Sequence, residues 1–195
     1  MFKEELLKNF YTGAGVSIVF ISDNFSFIEN AVGFYMDREL INKVRNIAPD
    51  VCTYVVSFES EQFEGFTLKT LHQKETSTIW VIDFQEINYN KRIEVYCENA
   101  KNSGVVIFGI NQKKLIPNII NLDTEFYSSN IYQDNSNTKN RDQVSYYSYV
   151  IGYTALFLES RPLWNKNDII NYFYDHRQNL AEFVKVDIVE ETNVD

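Results

Sequence analysis

The sequence predicts an α/β fold: a mostly parallel sheet of about five strands with helices on both faces. Two observations carry this. Four short runs are apolar on both parities, "VSIVFIS" (16–22), "VCTYVVSF" (51–58), "TIWVIDF" (78–84) and "GVVIFGI" (104–110). Strands with no polar side are those covered on both faces, which is the condition of a parallel sheet. Between them lie segments with helical apolar spacing, and strands alternating with helices imply βαβ units.

Each element has its own signal. Residues 3–11 place Leu6, Leu7 and Phe10 on one side of a helix that Gly13 and Gly15 stop. Ser26 and Glu29 form a capping box, in which each end bonds the other's free N–H. The helix that follows runs to about Ala48, with Ala31, Val32, Tyr35, Leu40, Val44 and Ile47 at helical spacing, and Pro49 ends it. Residues 51–58 read as a buried, β-branched strand, with Cys52 as a small core residue. In "NKRIEVYCENAKN", Ile93, Tyr96, Cys97 and Ala100 share one helical face. "KKLIPNII" predicts a short helix broken at Pro117, and "TEFY" a fifth strand. The polar run 128–143 reads as a loop, followed by an apolar helix over 144–160, a helix from Asp168 to Gln178, and "FVKVDIV" as a final strand. The division is a core over 1–127, the polar loop 128–143, and a C-terminal helical extension over 144–195 packed on the core.

Bulk properties narrow the function. A net charge of −9 with no basic run repels phosphate backbones, so direct nucleic-acid binding is disfavoured, Lys113 and Lys114 notwithstanding. The two cysteines lack paired spacing, which fits a reducing compartment, and the N-terminus does not read as a signal peptide. No apolar run reaches membrane-spanning length, so the expectation is a cytoplasmic protein.

Chemistry in an open parallel sheet sits beyond the carboxyl ends of its strands. Those ends carry Ser22, Asp23 and Asn24, then Ser57 to Glu59, then Asp83 to Glu86, then Asn111 and Gln112. The first turn, "SDNFSFIEN", has none of the glycines that let backbone N–H groups turn inward on a phosphate, and no lysine for its charge. An arriving anion meets Asp23 and Glu29, so an ordinary capped helix explains this turn best. "IWVIDFQEI" has the form of a strand ending in a magnesium-binding acid, Asp83, with Glu86 where a water-activating acid could lie, but an Asp at a strand end is common. Asn111 suits a phosphate-sensing role or the start of a turn. No histidine pair, nucleophile elbow or dinucleotide fingerprint is present. Tyr146, Tyr147, Tyr149 and Tyr153 occupy most sides of one helix, as core or as an interface with a protein partner or a second copy.

The succession of "SIVFISDNFSFIEN", "IWVIDFQEI", "NKRIEVYCENAKNSG" and "VVIFGINQKKLIPNII" resembles the core of AAA+ ATPases, most like clamp-loader subunits of the delta-prime type. The resemblance spans roughly residues 14–127 and implies a P-loop NTPase-like fold with a degenerate phosphate loop, Asn111 at the sensor position, and a scaffolding role. The Gly-Lys-Ser/Thr is missing, and so is the family's Ser-Arg-Cys near Ile119 to Leu122, so catalysis does not carry over. The expectation is a non-catalytic, AAA+-like protein-binding subunit without a cofactor, in a replication- or mobile-element-related assembly. The alternative is a Rossmann-like enzyme or nucleotide-binding protein with magnesium, using Asp23, Asn24, Asp83, Glu86 and Asn111.

Overall fold

A computed structural model describes residues 3–22, 31–56, 77–84, 91–112, 114–123 and 138–176. Five strands form one sheet: β1 (Val16–Ile21), β2 (Cys52–Val56), β3 (Ser77–Asp83), β4 (Val106–Ile110) and β5 (Ile120–Asn121). Every pairing is parallel, and the lateral order is β2-β1-β3-β4-β5. This is the doubly wound order of flavodoxin-like sheets. The helices are α1 (Lys3–Phe10), α2 (Ala31–Ile47), α3 (Lys91–Asn102), α4 (Thr138–Ser160) and α5 (Lys166–Asp175).

The sheet separates two apolar cores, because successive side chains on a strand point to opposite faces. On one face, Ile18 and Phe20 of β1, Ile79 and Val81 of β3 and Phe108 of β4 pack with Leu40, Val44 and Ile47 of α2, the apolar residues of α4 from Val144 to Leu158, and Ile169 and Phe173 of α5. On the other, Val19, Ile21, Trp80, Ile82 and Ile107 pack with Ile93, Cys97 and Ala100 of α3. The doubly apolar strands are therefore explained by cover on both sides, and the helical face through Ile93 is the one buried.

The structure departs from the sequence reading in several places. Strand β2 is at the sheet edge rather than inside it, and Cys52, Tyr54 and Val55 are exposed. β-branched composition signals a strand but not its place in the sheet. Residues 114–119 form turns rather than a helix: Pro117 bars continuation, Asn118 takes a left-handed φ of 73°, and so short a helix would not repay nucleation. The fifth strand is Ile120–Asn121; "TEFY", the Ser26–Glu29 cap and "FVKVDIV" lie outside the described residues. Helix α4 begins at Thr138, so 138–143, read as loop, are its polar first turns. Helix α5 starts two residues earlier than its apolar spacing indicates, because Asn165 and Asp168 form a capping box. Asn165 Oδ1 accepts from the Asn167 and Asp168 N–H groups at 2.8 and 3.2 Å, and Asp168 accepts from the Asn165 N–H at 2.9 Å.

Two local devices join the N-terminal segment and α4 to the core. Glu159 near the end of α4 accepts the N–H groups of Thr12 and Gly13 at 3.0 and 2.7 Å. Gly152 lets α2 and α4 approach closely, since a Cβ there would stand 2.8 Å from Ile47 Cβ. The cysteines now differ sharply. Cys52 is exposed, while Cys97 is buried and its thiol is pushed up to about 12, by burial first and then by the Glu94 carboxylate. Only a thiolate reacts readily. Native protein at mildly alkaline pH should therefore react with a thiol reagent rapidly at one cysteine; Cys52→Ser should remove that phase, and denaturant should release the second thiol.

Candidate functional site at the carboxyl ends of the strands

The polar residues at the strand ends converge because parallel strands end on one edge. Asp83, the last residue of β3, is 8% exposed and accepts from Asn111 Nδ2 at 3.0 Å. Asn111 follows β4 with φ of 56°, a left-handed conformation that asparagine tolerates better than most side chains. That turn brings its amide back over β3. The strand ends are also tied by main chain: Ser22 N–H donates to Val56 at 3.1 Å, and Phe84 N–H to Ile110 at 3.0 Å. Asp83 and Asn111, both singled out as strand-end polar residues, thus hydrogen-bond to each other.

The centre of the arrangement is Asp123, which the sequence reading passed over. One carboxylate oxygen accepts the Asn111 backbone N–H at 2.7 Å, and the other accepts the Tyr147 hydroxyl. Its own N–H donates to Asn121 Oδ1 at 3.0 Å. Asp123 therefore links the end of β4, the end of β5 and helix α4. The signal was present in "INLD": Asn followed two residues later by Asp is an Asx-turn pattern, in which the side chain bonds the backbone two residues on.

The tyrosines need a correction as an interface. Tyr146, Tyr147, Tyr149 and Tyr153 are 3%, 1%, 3% and 2% exposed, buried by the chain itself. Tyr149 packs against Tyr153 and Phe173, with ring centroids 4.7 and 6.1 Å apart. A helix apolar all round must be covered, and here α2, α5 and the sheet supply the cover. Tyr147 holds Asp123 rather than a partner.

Asp23, Asn24 and Glu86 lie outside the described residues. Among the described residues, no three of His, Cys, Asp and Glu are grouped to hold a metal ion. His176 caps α5: its Nδ1 lies 2.7 Å from the Tyr172 carbonyl, and its ring stacks on Tyr172 at 4.2 Å. No helix of the described residues is long and apolar enough to cross a membrane.

The arrangement can do two things chemically. It holds three strand ends in register, and it presents Asp83 next to the point where β1 leads toward β2 and β3 toward β4, in opposite directions. A hydrogen bond to a charged group is worth more than a neutral one. Removing the hydroxyl in Tyr147→Phe should lower stability by about 1–2 kcal/mol, read as a lower urea midpoint with an unchanged slope.

No family model matches this chain, and neither the curated proteins nor the solved structures searched contain a match to it.

Proposed function

We propose that this chain is a non-catalytic α/β protein that works by binding another protein or a second copy of itself, as a subunit of a larger assembly. The observation that carries this reading is the edge strand β2. Its sequence is "CTYVV", and Tyr54 and Val55 are 43% and 50% exposed. Among the described residues β2 pairs only with β1. Edge strands in monomers are commonly blunted by charge, proline or a bulge, whereas an apolar edge is a template for another strand. "CTYVV" contains no charge and no proline. The AAA+ resemblance supports membership of an assembly of the replication or mobile-element kind. It rests on the succession of elements along the chain, while the lateral order is the flavodoxin-like one. The free thiols of Cys52 and Cys97 support a cytoplasmic setting.

Sedimentation across a concentration series, together with affinity capture, tests the reading. Self-association or a recovered partner is expected, and Val55→Lys should weaken it without lowering the melting temperature, because a charge on an edge disfavours strand addition. A chain that stays monomeric and captures nothing overturns the proposal.

One observation favours a second reading, a Rossmann-like magnesium or small-molecule site. Asp83 stands beside the β1/β3 switch point, where ligands of this strand order bind. Nucleotide with magnesium should then raise the melting temperature, since a ligand that binds only the native state stabilises it by about 2.7 kcal/mol at a hundredfold excess over Kd. Asp83→Asn should abolish that shift.

A further inference from the structure

Away from the strand ends, a cleft lies between α1, α4 and α5. We infer that this cleft is a binding site for a small aromatic carboxylate, a flat ring carrying one negative charge. Its volume is about 260 Å³, and its walls are Leu7, Phe10, Tyr11, Phe157, Trp164 and Tyr172, with Ser160 and Arg161 as its further lining. That volume suits one ring with a short substituent.

The walls select for a flat apolar body. Phe157 is flanked by Trp164 and Tyr172, with centroids 4.9 and 4.4 Å away, so three rings frame one side of the cleft. Phe10 is 77% exposed at its rim, and Trp164 is only partly buried, an unusual amount of ring surface to leave in water.

The charge requirement comes from Arg161. Its guanidinium lies 5.3 Å from the centroid of the Trp164 ring, which orients the planar fork. Among the described residues it has no carboxylate partner. The neighbouring acid, Glu159, is engaged by the Thr12 and Gly13 N–H groups. A cation without a carboxylate partner among the described residues, beside tilted aromatic rings, is locally complementary to an anion. A guanidinium fork matches a carboxylate in two parallel hydrogen bonds. Ser160 Oγ donates to the Phe157 carbonyl at 3.0 Å, so its hydroxyl proton is already committed and Arg161 is the charged donor of the lining. The site is separate from the β2 edge and the Asp83 cluster.

The chain contains two tryptophans, and Trp80 is 1% exposed, so Trp164 is the one whose fluorescence a ligand in this cleft would change. Phenylacetate titrated into the full chain should give a saturable change, and phenylacetamide should bind roughly tenfold more weakly, the difference of one charge-assisted contact. Arg161→Gln should remove the preference for the acid while the melting temperature stays within a few degrees of the parent's. The acid–amide comparison on the unaltered chain decides the matter if that variant fails to fold. Absence of saturation by roughly 10 mM acid, or equal binding of acid and amide, overturns the proposal.

Discussion

The apolar, nearly all-round burial of α4 is the constraint on which the described structure rests. Residues 144–158 are buried without a break. No one surface can cover such a helix, so the sheet, α2 and α5 must close on it from different directions. Each fully buried Val, Leu, Ile or Phe contributes about 1.5–3 kcal/mol relative to exposure. The cost is the polar atoms that α4 carries inside. Two of them are met locally: Thr154 Oγ1 donates to the Val150 carbonyl at 2.6 Å, and Ser148 Oγ to the Ser145 carbonyl at 2.8 Å. Gly152 then removes the one side chain that would hold α2 away.

The carboxyl-end cluster depends on the same helix. Tyr147 reaches Asp123 only because α4 lies across that face of the sheet. Asp123 in turn fixes the Asn111 backbone, and Asn111 fixes Asp83. Asp83 is therefore anchored, through Asn111 and Asp123, to the buried helix α4. At its far end α4 contributes Phe157, Ser160 and Arg161 to the aromatic cleft, while Glu159 ties down the N-terminal turn.

Local pattern was legible where burial follows period. The strands through Phe20, Trp80 and Phe108 and the helix through Ile93 and Cys97 stand where spacing put them. Boundaries were less so. Polar turns at the start of α4 carry no apolar stripe to announce a helix, and the Asn165 cap precedes its helix's first apolar residue. Half of the candidate site was legible too: Asp83 and Asn111 were picked out as strand-end polar residues, and they hydrogen-bond. Asp123 was missed because its partners, Asn111 and Tyr147, lie 12 and 24 residues away.

By itself the sequence determined that strands and helices alternate and that the sheet is parallel and covered on both faces. These properties follow from which residues avoid water, and period is enough to read them. Only the tertiary structure decided that β2 is an edge, that the four tyrosines face inward, that 114–119 turns instead of coiling, and that Arg161 stands among rings. Each of these depends on what lies across the fold from a residue, and the hydrophobicity of a segment is the same whether its neighbour is a helix, a strand or solvent.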